Sequence, residues 1–101
     1  MLQSKQDIIY SINQIARKYP LQSVSLFGSI NTDSFSECSD VDIVVRFDEN
    51  LDPIIRGECM LNFQIELEDQ LHRQVDILNQ AYVVNPVMQS VVKEAVLIYG
   101  K

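Results

Sequence analysis

Apolar residues recur at helical spacing in three stretches of the chain, and these stretches predict three helices. The first covers residues 4–19, opens on a capping box and is stopped by Pro20. The second covers 53–71, and the third opens with Asn85-Pro86 and ends near residue 95. The apolar stripes expected to face the core are Ile8, Ile12, Ile15, Ala16 and Tyr19 in the first helix, Met60, Leu61, Ile65, Leu67 and Leu71 in the second, and Val87, Met88, Val91, Val92 and Ala95 in the third.

Shorter apolar runs predict strands at 23–27, 41–47 and 75–78. Residues 96–99 fit either an edge strand or an extension of the third helix. Side chains on a strand alternate between its two faces, so the strand at 41–47 has an apolar face and a mixed face. The apolar face carries Val41, Ile43, Val45 and Phe47, and the mixed face carries Asp42, Val44 and Arg46. The order of elements predicts an α/β (α+β) fold, in which helices pack against a small mixed sheet.

The length of 101 residues leaves room for one domain, which we expect to span 1–101. No apolar run approaches the roughly 20 residues of a membrane span, and the first residues do not have the pattern of a signal peptide. Two cysteines, Cys38 and Cys59, do not form a disulfide framework. We therefore expect a cytoplasmic protein that does not bind membranes.

Acidic residues outnumber basic ones, and the formal net charge is -6. A protein that binds the phosphate backbone of a nucleic acid needs a basic surface, so direct nucleic-acid binding is not expected. An acidic surface fits a basic protein partner, and it also fits a simple contribution to solubility. A terminal edge strand could also pair with a second copy of the chain, which leaves the oligomeric state open.

Five residues in three short segments carry candidate phosphate chemistry. Gly28-Ser29 follows a predicted strand, where a turn without a Cβ can approach phosphate oxygens. Asp40 and Asp42 stand on the same side of the next strand, two residues apart, and Asp76 lies in a later strand. Two hard oxygen ligands at this spacing suit Mg²⁺ that also holds a nucleotide triphosphate. Each aspartate alone could merely face solvent, whereas the combination is far more specific.

This combination of Gly-Ser, ten residues, Asp-x-Asp and a later strand aspartate resembles the signature of the polymerase-beta-like nucleotidyltransferase superfamily. The short chain resembles its minimal nucleotidyltransferase (MNT) branch. The resemblance implies a polymerase-beta-like core, with Gly28 and Ser29 at the β- and γ-phosphates. It also implies that Asp40 and Asp42 bind two Mg²⁺ ions. Asp76 would help to hold one ion and act as the general base for the acceptor hydroxyl.

The resemblance further implies an enzyme that moves NMP, most plausibly AMP from ATP, to a hydroxyl on a partner protein. MNT proteins typically pair with a HEPN-domain toxin, so this chain would be the antitoxin that modifies it. The alternative is an antitoxin with little or no transfer activity that neutralises its partner by docking. The acceptor, the base preference and the number of nucleotides added stay open.

One departure from the family pattern bears on this choice. Many relatives carry an arginine shortly after the Gly-Ser pair, but here the stretch reads Ile30-Asn31-Thr32-Asp33. Arg46 lies on the Asp42 face of its strand, yet four strand residues separate the two by about 13 Å. We therefore interpret Arg46 as a surface counter-ion. The missing arginine modestly favours the docking alternative, and the retained aspartates favour the enzyme.

Overall fold

A computed structural model describes residues 4–100, in which three helices accompany a four-stranded sheet. In chain order the elements are α1 (Lys5–Ala16), β1 (Leu21–Phe27), β2 (Val41–Phe47), α2 (Pro53–Leu71), β3 (Val75–Asn79), α3 (Pro86–Glu94) and β4 (Val96–Gly100). Short 3₁₀ turns follow β1 at Gly28–Asn31 and β3 at Gln80–Tyr82. Over the described residues, no helix combines the length and the apolarity that a membrane crossing requires.

The sheet has the strand order β3-β2-β1-β4. The β2–β3 pair is parallel, and the other two pairs are antiparallel, so the predicted mixed sheet is confirmed. Register places Asp42 beside Phe27 on one side and beside Asp76 on the other. These three residues therefore form one row across the sheet.

One face of the sheet carries the hydrophobic core, which α1 and α2 cover. The fully buried residues of this core include Ile8 and Ile12 of α1, Val24 and Leu26 of β1, Val41, Ile43 and Val45 of β2, and Phe63 and Leu67 of α2. Because strand side chains alternate, the residues between these core positions point to the opposite face. We call that opposite face the open face.

The predicted helix and strand boundaries are largely confirmed. The limits of α2 and β2 match the predicted 53–71 and 41–47. The capping box opens α1 through Ser4, but the helix ends at Ala16, three residues before the predicted end. Asn85 caps α3 by accepting a hydrogen bond from Val87. Residues 96–100 form strand β4, which resolves the open alternative in favour of the edge strand.

The predicted core face of α2 is wrong at two positions. Leu61 is 57% exposed and Ile65 is 55% exposed, whereas Phe63 between them is fully buried. A helix turns about 100° per residue, so positions two apart lie on nearly opposite sides. The apolar face of α3 is also less buried than predicted, because none of its residues is buried and Val87 is 71% exposed.

Candidate active site

Asp42 and Asp76 occupy neighbouring strands at the same level of the open face. Asp42 lies between the core residues Val41 and Ile43, so its side chain must leave the core. Asp76 follows buried Val75 in the same way, and parallel pairing sets it directly beside Asp42. The two carboxyl groups lie close enough for the charge of Asp76 to raise the pKa of Asp42, after the larger effect of partial burial. The structure thus brings together two of the three predicted carboxylates.

The pKa of Asp42 is raised above its ordinary value. Partial burial is the largest cause, and the negative charge of Asp76 and the hydrogen bond to it follow. The charge of Asp40 adds a smaller effect in the same direction. Asp42 therefore sits where a second negative charge is unfavourable, and a bound cation would relieve this repulsion.

Asp40 lies at the end of the loop that precedes β2, and its side chain is exposed. It acts on Asp42 through charge, but it does not complete a compact ligand group. Within residues 4–100, no three His, Cys, Asp or Glu side chains are grouped closely enough to hold a metal ion. The pair at the site is therefore Asp42 with Asp76, and the addition of Asp40 to it stays a prediction.

Gly28 lies directly against Asp42. Its φ of +79° falls in the left-handed region that L side chains rarely adopt. A Cβ built at this position would lie 2.5 Å from Asp42 Oδ2, closer than any carbon can approach. Two features therefore favour glycine at this position: the left-handed backbone conformation and the nearby Asp42 carboxylate. Its place next to Asp42 links the two halves of the sequence motif.

The turn Gly28–Asn31 holds Ser29 beside this glycine. The Ser29 carbonyl accepts hydrogen bonds from the Thr32 backbone N–H at 2.9 Å and from Thr32 Oγ1 at 2.8 Å. Asn31 Nδ2 donates to the Leu26 carbonyl at 2.9 Å, and Ile30 is buried in the core. These contacts tie the turn to β1, so the position of Ser29 is set by the fold.

An open cleft of about 400 Å³ adjoins the turn on the side of α3. Its lining combines Phe27 and Gly28 at the end of β1 with Met88 and Val91 of α3. The walls are thus mainly apolar, with Asn31 and Glu94 as polar members. Sequence reasoning missed this cleft, because the approach of α3 to the turn is a tertiary feature.

Arg46 and Arg73 take positions that bear on the site in different ways. Arg46 contacts Gln22, with Nη2 donating to Oε1 at 3.4 Å, and it lines a separate cleft of about 230 Å³. Arg73 instead reaches the loop that ends at Asp40, where it contacts Phe35 and backbone carbonyls. Sequence reasoning missed this contact of Arg73, because the loop residues that it reaches lie more than 30 residues earlier in the chain.

The residues present fit a divalent cation. Asp42 and Asp76 offer hard oxygen ligands, which Mg²⁺ prefers. Partial burial and the charge of Asp76 both raise the pKa of Asp42, and a bound cation would stabilise the ionised carboxylates. Gly28 keeps the space beside Asp42 free of a side chain. The donor set and the open backbone beside it are therefore compatible with a metal–triphosphate complex.

Comparison with known proteins places this geometry among nucleotidyltransferases. The family model described as polymerase beta, nucleotidyltransferase matches residues 10–101. The Methanocaldococcus jannaschii protein MJ1379, named a putative protein adenylyltransferase, is 37% identical over 78 residues, which cover 76% of this chain and 75% of the relative.

Two solved structures of toxin–antitoxin systems share the fold. A toxin–antitoxin structure with AMP-PNP matches with a TM-score of 0.72 and 25% identity, over 92% of this chain and 73% of the matched chain. A chain from the complex of a tri-AMPylated Shewanella oneidensis HEPN toxin with MNT antitoxin matches with a TM-score of 0.66 and 26% identity. The match covers 96% of this chain and 73% of the matched chain. The predicted nucleotidyltransferase core is thus confirmed.

Proposed function

The chain belongs to the polymerase beta nucleotidyltransferase family, and from that premise we propose that it transfers AMP from ATP to a hydroxyl group of a partner protein. The observation that carries the proposal is the in-register pair of Asp42 and Asp76 with Gly28 packed against it. A merely solvated surface would give no reason to set two carboxylates side by side on a partly buried row. The adenylyltransferase name of a relative supports AMP as the group transferred.

The proposed roles follow from the chemistry of each side chain. Asp42 and Asp76, with Asp40 at the loop end, would hold Mg²⁺. Bound Mg²⁺ would neutralise charge on the triphosphate and on the leaving pyrophosphate. The Gly28 backbone and the Ser29 hydroxyl would donate hydrogen bonds to phosphate oxygens.

The acceptor hydroxyl needs a base while its oxygen bonds to the α-phosphorus of ATP. We assign this role to Asp76, an exposed carboxylate at the edge of the site, to which Gln74 Nε2 donates a hydrogen bond at 3.1 Å. The bond from the α-phosphorus to the bridging oxygen breaks, and pyrophosphate leaves. The adjoining cleft between Phe27 and Met88 has apolar walls that fit the flat adenine ring.

We propose that the acceptor is a HEPN-domain toxin and that this chain is its antitoxin. We also propose that residues 1–101 form a single MNT domain. The support is the similarity to an MNT antitoxin solved with a tri-AMPylated HEPN toxin. The net charge of -6 is compatible with a basic protein partner. We propose a cytoplasmic location, where ATP is available.

A second candidate function is neutralisation of the toxin by docking alone. The stretch after Gly28-Ser29 lacks the arginine that many relatives carry, and this favours weaker ATP binding. The two candidates differ in one measurable property, because only the enzyme leaves a covalent AMP on the partner.

The test is a transfer assay with ATP labelled at the α-phosphate, Mg²⁺ and a HEPN-domain toxin as the proposed acceptor. We expect label on the HEPN protein with the wild type and none with Asp42→Asn. Asp69→Asn is the matched control, because Asp69 is an exposed residue of α2, which covers the opposite face of the sheet. Neutralisation of the toxin without any label would establish docking and contradict the enzymatic proposal.

A further inference from the structure

Arg73, in the segment between α2 and β3, contacts the loop that precedes β2 and ends at Asp40. We call residues 32–40 the Asp40 loop. Arg73 Nη1 donates to two carbonyl oxygens of this loop, to Ser36 at 3.1 Å and to Ser39 at 2.9 Å. The Arg73 guanidinium carbon also lies 4.7 Å from the centre of the Phe35 ring, a cation–π distance. One side chain therefore contacts the loop at three residues.

The other contacts of the Asp40 loop are few and local. The Ser36 N–H donates to the Ser39 hydroxyl oxygen at 3.0 Å, and the two hydroxyl groups form a second hydrogen bond at 3.2 Å. Phe35 is the loop residue that packs against the core. Most other loop side chains are exposed and polar, so apolar burial contributes little to the position of the loop. The contacts with Arg73 are thus a major external restraint.

Arg73 also stands in the segment that carries Asp76. The Val41 N–H donates to the Gln74 carbonyl at 3.0 Å, so the start of β2 is tied to the residue that follows Arg73. Asp76 follows two residues later on β3. The same short segment thereby sets the position of Asp76 and restrains the residues that lead into Asp40.

We propose that Arg73 is a positioning residue that holds Asp40 in reach of the Asp42–Asp76 pair. The inference depends on the proposed function, because it assigns Asp40 to the Mg²⁺–ATP site. Ser39 is the neighbour of Asp40, so release of its carbonyl would let the carboxylate sample positions outside the site. Arginine suits this role because a planar guanidinium can donate hydrogen bonds while it stacks on an aromatic ring.

The test compares Arg73→Gln and Arg73→Lys with the wild type in two measurements. Hydrogen–deuterium exchange of residues 32–40 without nucleotide reports on the restraint itself. Titration with Mg²⁺ and ATP reports on the site. We expect faster exchange in the loop of Arg73→Gln and Mg²⁺–ATP affinity lower by about ten- to a hundredfold, the usual loss for outer-shell partners of a metal site. Arg73→Lys should recover part of both losses.

Arg17→Gln is the charge-matched control, because Arg17 is exposed at the end of α1 and lies outside the Asp40 loop. If Arg73→Gln does not fold, Phe35→Leu removes the cation–π contact, keeps an apolar side chain against the core, and should give smaller changes of the same sign. Unchanged exchange in the loop would overturn the restraint, and faster exchange with unchanged affinity would overturn its role at the site. A wild type that binds no Mg²⁺–ATP would instead overturn the proposed function, while loop exchange would still decide whether Arg73 restrains the loop.

Discussion

The two faces of the sheet come from the same strands but have opposite properties. The core face presents fully buried aliphatic residues such as Leu26 and Ile43 to α1 and α2. The open face, one residue along each strand, presents Phe27, Asp42 and Asp76 in one row. On the first face the core residues are apolar, and their burial contributes to stability. On the second, two carboxylates repel each other beside a glycine at which any side chain would be strained.

Because alternate residues of a strand face opposite sides of the sheet, one set of side chains can stabilise the fold while the other set forms the candidate site. Burial of apolar side chains on the core face favours folding, at about 25 cal/mol per Å² removed from water. The open face keeps charges that do not favour the metal-free fold, as is common at functional sites. Substitutions on the two faces should therefore differ in sign as well as in size.

The largest effect is expected on the core face. Phe63 is fully buried, and its ring centre lies 5.3 Å from that of Tyr19. Phe63→Ala should lower the free energy of unfolding by about 3–5 kcal/mol, because it leaves a cavity. Ile65→Ala, on the exposed side of the same helix, should change it by less than about 0.5 kcal/mol. Urea unfolding of both variants makes the comparison, and equal losses would contradict the assigned core face.

A smaller effect is expected at the junction of the two faces. Gly28→Ala should lower the free energy of unfolding by about 1–2 kcal/mol, because alanine is strained at positive φ and its Cβ would collide with Asp42. Gly57→Ala is the matched control, since a Cβ there meets no atom within 4 Å inside α2. That control should raise the same free energy by about 0.5–1 kcal/mol. Stabilisation by Gly28→Ala would show that the turn does not approach Asp42.

The smallest effect is expected from the charges of the open face, and it has a defined pH dependence. The folded protein raises the pKa of Asp42 above its ordinary value of 3.8, so the fold binds this proton more tightly than the unfolded chain does. Stability of the metal-free protein should therefore fall as pH rises from about 4 through the raised pKa. Asp42→Asn should lack this decline.

The measurement is urea unfolding of wild type and Asp42→Asn in EDTA, at several values from about pH 4 to pH 7. The wild type should lose stability relative to the variant across this range. Asp69→Asn serves as the control and should follow the wild-type curve. Parallel curves for wild type and Asp42→Asn would contradict the unfavourable charge on the open face.

The open-face row was predictable from sequence, because a strand has one simple period. Val41, Ile43 and Val45 identified the core side of β2, and Asp42 followed on the other side. The spacing of apolar residues in α2 did not predict which side of the helix packs against the core. This helix carries apolar residues on opposite sides, with Leu61 and Ile65 on one and Phe63 and Leu67 on the other. Only packing against α1 and the sheet selects between them.

The contacts of the Asp40 loop were also beyond the sequence. A polar loop has no period, and its conformation here depends on Arg73, which lies more than 30 residues later in the chain. The position of Asp40 relative to Asp42 follows from that contact. The motif thus identified candidate ligands, but not the residue that restrains one of them.

The most direct test of the central claim is calorimetric titration of ATP into the protein with and without Mg²⁺. The claim is that Asp42 and Asp76 form a Mg²⁺–ATP site beside Gly28. It predicts saturable, Mg²⁺-dependent binding by the wild type and by Asp69→Asn. It also predicts loss of that binding in Asp42→Asn and in Asp76→Asn. Equal Mg²⁺-dependent binding by all four proteins would contradict it.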